Sequence, residues 1–537
     1  MEDKRNLCFI FLAFLALLLA LSLSFYRFPE VPNGFFYDEA SVGYNAYSIS
    51  ETGADEYGNK YPVFFRCFDN FQDPVYVYSL VPLIKIFGLE KWTTRLPALI
   101  FKILAALMLF FCAKRITRSF SCALFCSLIF VIIPWTFVLS RSGMGGYMPM
   151  LLGIISGIYF LNLALSTREL KYSVLAGMSW AFTMYSHQIG RPMSAVILFA
   201  FVMSFNFLIL KRLKAAILFC LTMFVALLPM ATYVWRVPES MTKRFSTFSI
   251  WGDACGITEI LFRFFERYFD YFGASFLFMK GDADLRHNSG YSGQLYFIMA
   301  PLVVIGIFHM LKHWRRPFYR FIIFSIALYP LAASLTMDRM HSTRCLNGVP
   351  FFCIASAIGL RWIFILSRNR SGFRFIPITV LVVLILESGL YLNDYFYKYP
   401  ARSRSAFEAP LIQTIETAFK NRRERDVVYV SSSLFPRPLN KQLKPFWYSH
   451  FLFFAKIDPA HYQKKGMPED ILYDVNPAAM IPPGIILRMN SKIMIDENFS
   501  PYVVVNDEEL PSGVKLVSKI ALTEGSDRFF EVYQLQK

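Results

Sequence analysis

Two adjacent carboxylates, Asp38 and Glu39, stand in the run FFYDEASVGYNAYSI, directly after the apolar stretch that opens the chain. Carboxylates beside so apolar a segment need a reason. Asp38 could simply cap the helix that begins there, with Glu39 favoured by the positive end of its dipole. The chemical alternative is attack on a sugar carried by a lipid phosphate. The phosphate leaves as a stable anion, so no general acid is needed; one carboxylate to take the acceptor's proton and cations to hold the phosphate are enough. A single displacement of this kind inverts the anomeric centre. Asp38 fits the base, with Glu39 as the alternate.

Cations recur at other outward-facing helix ends. Arg141 lies in SRSGMGG, His187 and Arg191 in YSHQIGRP, Arg339, His341 and Arg344 in MDRMHSTR, and Arg286 and His287 in GDADLRHNSGYSGQLY. Arginine grips phosphate with two parallel donors, so Arg286, His287, Arg344, His341, Arg191 and Arg141 are candidates for a phosphate clamp. Any one of them could instead snorkel to lipid headgroups. A third group, in ADEYGNKYPVFFRCFDNFQDPVYVY, sets Asp55, Glu56, Arg66, Asp69 and Asp73 among aromatics. Acidic and aromatic side chains suit sugar hydroxyls and suit an ordinary structured loop equally well. Asp69, Asp73, Tyr44 and His187 are the candidates for contact with sugar or acceptor. No cofactor follows with certainty; a divalent metal at Asp55, Glu56 or Asp69 stays open, although the spacing does not demand one.

These residues must be positioned by a membrane bundle. Of 537 residues 55% are hydrophobic and only 17% charged, with mean hydropathy +0.41, too little polar surface to cover a soluble globule. Apolar stretches at 7–25, 95–113, 119–139, 147–166, 172–186, 192–210, 214–235, 294–311, 318–336, 347–366 and 375–392 predict about eleven spans. With the N-terminus cytoplasmic, every inner turn is basic, from Lys114/Arg115/Arg118 to Arg368/Arg370/Arg374, as the positive-inside rule requires. This placement accounts for the net charge of +17 and argues against a nucleic-acid partner. Segments 26–94 and 236–293 then face outward, together with everything after about 393. Segment 75–89 is too short to cross and reads as interfacial or re-entrant, and 257–273 as a helix lying at headgroup level. VVYVSSSL (427–434) and PYVVVND (501–507) read as strands. The expected organisation is thus mainly α: a polytopic bundle over 1–393 and a small extracytoplasmic α/β domain over 394–537. The nine cysteines form no zinc-type spacing; one disulfide could form among Cys67, Cys255 and Cys345.

An ordered set of motifs carries a resemblance: FYDEASVGYNAYSI, DEYGNKYPVFF, DPVYVYSLVPLIKIFG, TRLPALIFKILAAL, SRSG, YSHQIGRP, LRHNSGYSGQLYFIMAPLVVIGI and HSTRCLNGVPF. In them the chain resembles membrane glycosyltransferases of family 39, the protein O-mannosyltransferase and lipid A aminoarabinose transferase relatives with the C-type (GT-C) fold. The resemblance implies a polyprenyl-phosphate sugar donor, transfer on the outer face, an essential acid matched by Asp38, and phosphate held by Arg and His at outer helix ends. Two departures stand out. Gln72-Asp73-Pro74 replaces a His-Pro-Pro-like element, and no second acid lies near Arg141.

The leading expectation is therefore an inverting membrane glycosyltransferase in the inner (plasma) membrane, with a polyprenyl-phosphate sugar and membrane lipids as partners and a lipid, glycan or protein acceptor. The alternatives are a lipid-linked oligosaccharide ligase or polymerase, and a transporter or flippase. Transporters place ionisable groups mid-span, and here the spans carry little charge apart from Lys102 and Glu387.

Overall fold

In the computed structural model the described residues are 18–28, 30–68, 70–251, 256–369, 375–423, 426–431, 448–473, 484–489, 491–495, 501–505, 510, 513–523, 526 and 528–535. Long apolar runs without internal caps become long helices, because a chain in hydrocarbon must satisfy every backbone donor and acceptor within itself. Among the described residues seven helical segments are long and apolar enough to cross a membrane: Lys91–Thr117, Tyr147–Ser166, Gly190–Lys211, Leu213–Arg236, Pro317–Ser334, Ser342–Ser367 and Ile376–Tyr397. Shorter apolar helices cover Pro74–Phe87, Phe120–Ile132 and Met299–Lys312. The run at 119–139 is broken after Ile132, since Pro134 has no N–H to continue the ladder and opens a new short helix, Pro134–Leu139. Most of the first expected span lies outside the described residues.

The chain divides into two compact units, and the division is not a single cut near residue 393. One unit comprises Met1–Val31, Asp73–Tyr76 and Arg95–Tyr399; the other comprises Pro32–Gln72, Val77–Thr94 and Pro400–Lys537.

The first unit is a helical bundle held by close backbone approach. A Cβ on Gly306 would lie 2.0 Å from the Ala355 carbonyl oxygen, and one on Gly359 would lie 2.0 Å from that of Leu302. Helix Met299–Lys312 and helix Val349–Asn369 can therefore touch only because both positions lack a side chain, the usual device where lipid supplies no hydrophobic drive between helices. The two charges noted within spans are used internally. Glu387 Oε2 accepts the Ile298 amide at 3.1 Å, capping helix Met299–Lys312, and Lys102 Nζ meets Ser24 Oγ at 3.3 Å over the Phe137 ring. Helix Ile257–Asp270 forms as expected and exposes Leu261, Phe262, Phe265 and Phe269 along one stripe.

In the second unit, helix Tyr37–Thr52 packs against helices Tyr448–Phe454 and Pro459–Lys465. Its sheet has the order β4-β3-β5-β9-β8: β3 (Val427–Val430) pairs in parallel with β4 (Ile471–Tyr473) and β5 (Gly484–Met489), and β9 (Phe529–Leu535) pairs antiparallel with β5 and β8 (Val514–Ala521). Two antiparallel pairs stand apart from it, β1 (Phe65–Cys67) with β2 (Asn70–Gln72) and β6 (Ser491–Ile495) with β7 (Pro501–Val505). Both strands read from the sequence are present, the first ending at Val430, with 432–447 outside the described residues. Helix Pro74–Phe87, with Pro82 inside it, is 14 residues long, about 21 Å at 1.5 Å per residue, short of a hydrocarbon core.

Candidate functional site

The adjacent carboxylates separate into two roles. Residue 37 opens a helix, so the preceding amides have no intrahelical acceptor. Glu39, fully buried, takes one of them: the Phe36 amide donates to Glu39 Oε2 at 3.1 Å. Glu408 takes the next, with the Tyr37 amide donating to its Oε2 at 3.1 Å. Glu408 holds φ +54°, a conformation rare for a residue with a side chain, and His450 Nε2 lies 3.2 Å from the same oxygen. Two carboxylates from residues 369 positions apart thus serve one helix end, with Asp38 half-buried in the first turn beside them. The Phe36 and Tyr37 amides are thus capped by Glu39 and Glu408.

In the same unit the acidic first loop is structural. Asp55 Oδ1 accepts the amides of Tyr57 (3.0 Å) and Asn59 (2.8 Å), closing its own turn, and Glu56 Oε1 accepts the Tyr448 hydroxyl at 2.9 Å. Both acids are buried. Tyr44, expected at sugar, is fully buried and donates its hydroxyl to the Ile457 carbonyl at 3.0 Å, so it packs this unit. Asp69 lies outside the described residues, as does Cys255; Cys67 and Cys345 are not disulfide-bonded to one another.

In the bundle unit the outward cations differ sharply from one another. Arg141 is fully buried, and its guanidinium donates to the carbonyls of Ser24 (2.7 Å), Tyr26 (2.9 Å) and Val31 (3.2 Å). It satisfies the end of the first helix and has rings of Phe28, Phe137, Tyr395 and Phe396 around it. That removes Arg141 from the phosphate clamp and makes it a helix-end cap. Arg191 and Asp73, expected to serve phosphate and sugar separately, form an ion pair with side chains only 14% and 10% exposed. Arg286 lies across Asp284, Nε at 3.0 and 3.1 Å from its two oxygens, and Arg344 pairs with Asp338. Arg339 is bound by Asp270 and Glu266. His187 ends helix Lys171–Ser186 with its ring 4.6 Å from that of Tyr147.

His287 and His341 come together, ring centroids 4.7 Å apart, around a residue the sequence reading did not single out, Asp282. Asp282 is 6% exposed; its Oδ2 accepts the Ser342 amide (2.8 Å) and hydroxyl (3.0 Å), and its Oδ1 accepts the Asp284 amide at 2.9 Å. Burial works to raise the Asp282 carboxyl, but His287, then His341 and the Asp284 amide, bring it below the usual range. Burial, followed by His287 and Arg344, pushes the His341 imidazole down to about 3, so that ring is neutral. Burial likewise opposes ionisation of Asp284, yet Arg286 and His287 pull it to about 2. The signal was in the sequence, in the Asp-Ala-Asp at 282–284, separated from Arg286-His287 only by Leu285; what was missing was the distant Ser342 and His341.

The comparisons agree with this architecture. Residues 72–235 match the family described as Dolichyl-phosphate-mannose-protein mannosyltransferase. Among curated proteins, none matches the chain in sequence. In three dimensions the chain is similar to the apo crystal structure of ArnT from Cupriavidus metallidurans, with TM-score 0.55 and 11% identity over 98% of each chain. It is similar to the same protein bound to undecaprenyl phosphate, with TM-score 0.52, 12% identity, and 99% and 98% of the two chains covered. The apo oligosaccharyltransferase of Archaeoglobus fulgidus matches with TM-score 0.52 and 11% identity over 82% of this chain, which spans only 64% of that one. The fold is thus shared with these membrane transferases, and the likeness to the mannosyltransferase family covers residues 72–235.

Proposed function

We propose that this chain transfers a sugar from a polyprenyl-phosphate donor to a lipid, glycan or protein acceptor on the extracytoplasmic face, by one inverting displacement with Asp38 as base. The observation that carries the reading is the half-buried carboxylate of Asp38 in the first turn of helix Tyr37–Thr52, beside Glu39 and Glu408. Glu39 and Glu408 accept helix amides, and Asp38 sits half-buried in the first turn, at the end of the helix dipole that favours negative charge. An ionised carboxylate is what the acceptor's proton needs, because the departing phosphate needs none. Undecaprenyl phosphate bound to a protein of this fold supports the donor class. Arg286 and Arg344, each about three-quarters or more buried and each set against one carboxylate, are the remaining phosphate candidates. The internal use of Lys102 and Glu387 speaks against a mid-membrane transport site.

The test is sugar release from a panel of radiolabelled polyprenyl-phosphate sugars by the full chain in lipid nanodiscs, with crude membrane acceptors. One donor should turn over in wild type and not in Asp38→Asn. Turnover of no donor, or of the same donor at an unchanged rate in Asp38→Asn, would overturn the reading.

A further inference from the structure

We infer that the turn between helix Met299–Lys312 and helix Pro317–Leu328 seats the headgroup of an anionic phospholipid that carries two phosphates. Lys312, Arg315, Arg316, Arg320 and Arg361 gather at this end of the bundle unit, the end expected to face the cytoplasm. Aromatic rings bring them together. Lys312 Nζ lies 4.5 Å from the centre of the Phe308 ring and 5.8 Å from that of Trp362, the neighbour of Arg361. The Arg316 guanidinium lies 5.3 Å from the Tyr319 ring, and Arg320 reaches the Trp314 carbonyl at 3.5 Å. The His309 ring joins the two groups, 5.9 Å from that of Trp362 and 6.0 Å from that of Tyr319.

Membrane orientation alone makes such turns basic, so the cations by themselves carry nothing. What sets this end apart is the lack of acid. Arg191, Arg286, Arg339 and Arg344 of the same unit each have a carboxylate. By contrast, helices Met299–Lys312, Pro317–Leu328 and Val349–Asn369 contain no Asp or Glu, and neither does the turn at 313–316. Helices Phe120–Ile132 and Gly190–Lys211, which pack against them, contain none either. Among the described residues four of the five cations are held by neutral groups. Arg320 donates to the Ser204 carbonyl at 2.7 Å, Arg361 to that of Thr117 at 2.6 Å and Arg316 to the Tyr319 hydroxyl at 3.2 Å, while Lys312 rests on rings. Neutral partners fix where a cation sits and leave its charge uncompensated. Helix Pro317–Leu328 starts here without a side-chain cap, and its positive end adds to the same field.

Clustered cations beside a span are the usual seat of a multiply charged headgroup. One phosphate occupies one or two guanidinium groups and would leave most of these five charges bare. A headgroup with two phosphates can meet the turn and the helix ends on either side of it. Trp314 and Phe308, both exposed, supply the amphipathic and apolar rim that suits the glycerol level of a lipid.

The inference stands apart from the transfer reading, because the readout is lipid retention and not turnover. Delipidated full-length chain is placed in nanodiscs of phosphatidylcholine with either phosphatidylglycerol, which has one phosphate, or cardiolipin, which has two. After release into detergent, native mass spectrometry reads which lipid stays bound. One cardiolipin per chain should remain, in preference to phosphatidylglycerol. Arg315→Gln combined with Arg316→Gln should weaken retention about 25-fold, at about fivefold for each cation removed from an anionic surface. Arg168→Gln combined with Lys171→Gln removes the same charge from another basic turn, where Lys171 has Glu169 as partner, and should leave retention unchanged. Equal retention of the two anionic lipids, undiminished retention in the Arg315/Arg316 variant, or an equal loss in the Arg168/Lys171 variant each overturns the site. Should the Arg315/Arg316 variant fail to fold, Arg315→Gln alone decides, since that side chain is exposed and bonded to none of the described residues. Retention weakened about fivefold supports the site, and unchanged retention refutes it.

Discussion

The start of helix Tyr37–Thr52 and the loops around Asp282 handle charge in different ways. At the helix start, Glu39 and Glu408 accept backbone N–H groups, Glu408 with His450 Nε2 also 3.2 Å away, and Asp38 shares the first turn. Around Asp282, acids and bases are set against one another side chain to side chain: Asp282 with His287 and His341, Asp284 with Arg286, Asp338 with Arg344. A helix end holds negative charge through oriented dipoles that come with the backbone. A loop has no such field, so each buried cation there needs its own acid, or else a set of carbonyls as Arg141 has. Phosphate would therefore compete with an existing partner at Arg286 or Arg344, which tempers how much either can contribute.

The sharpest way to break this comparison is Asp38→Asn, which should lower sugar release by about 10²–10⁴-fold, the usual worth of a positioned base, while the protein still elutes as a folded species. A variant with most of its activity would return all three carboxylates to helix capping. Arg141→Ala should act on stability instead. Three carbonyls, two of them in buried bonds, lose this donor, and we expect about 3 kcal/mol or more, read as a fall in thermal unfolding temperature in nanodiscs. Arg141→Ala with full stability and weakened donor binding would put this arginine back in the clamp. Asp73→Ala removes the carboxylate paired with the largely buried Arg191 and should destabilise by about 3 kcal/mol; adding Arg191→Ala should recover part of that loss, as a double-mutant cycle would show. Arg286→Ala and Arg344→Ala should each raise the apparent donor constant about tenfold, and unchanged constants in both would argue against a phosphate role. Glu39→Ala, the mildest, should cost about 1 kcal/mol of stability through loss of its cap bond.

Much of this molecule is legible in one dimension. Helix Tyr147–Ser166 coincides with the apolar stretch expected at 147–166, and Gly190–Lys211 and Leu213–Arg236 extend theirs by a residue or two. A hydrophobic run of sufficient length has one low-energy conformation in lipid, and its own backbone supplies it. The carboxylate pair at 38 and 39 was equally visible, since a helix start is a local event. Arg141 and Tyr44 were misjudged for one reason. Residue type and topological side do not say whether a side chain meets ligand or meets the chain's own carbonyls, and for these two it is the carbonyls of Ser24, Tyr26, Val31 and Ile457.

The sequence by itself thus determined a membrane helical bundle with a small C-terminal α/β unit, the place of the helices, and the short list of acids and bases from which a site could be drawn. Only the tertiary structure decided which of them act together. Asp282 and His341 are 59 positions apart, and Glu408 lies 369 beyond Glu39; no periodicity or motif couples residues at such distances. Their pairing is set by where packed helices and loops return the chain, and by the requirement that each buried amide, carboxylate and guanidinium find a partner there.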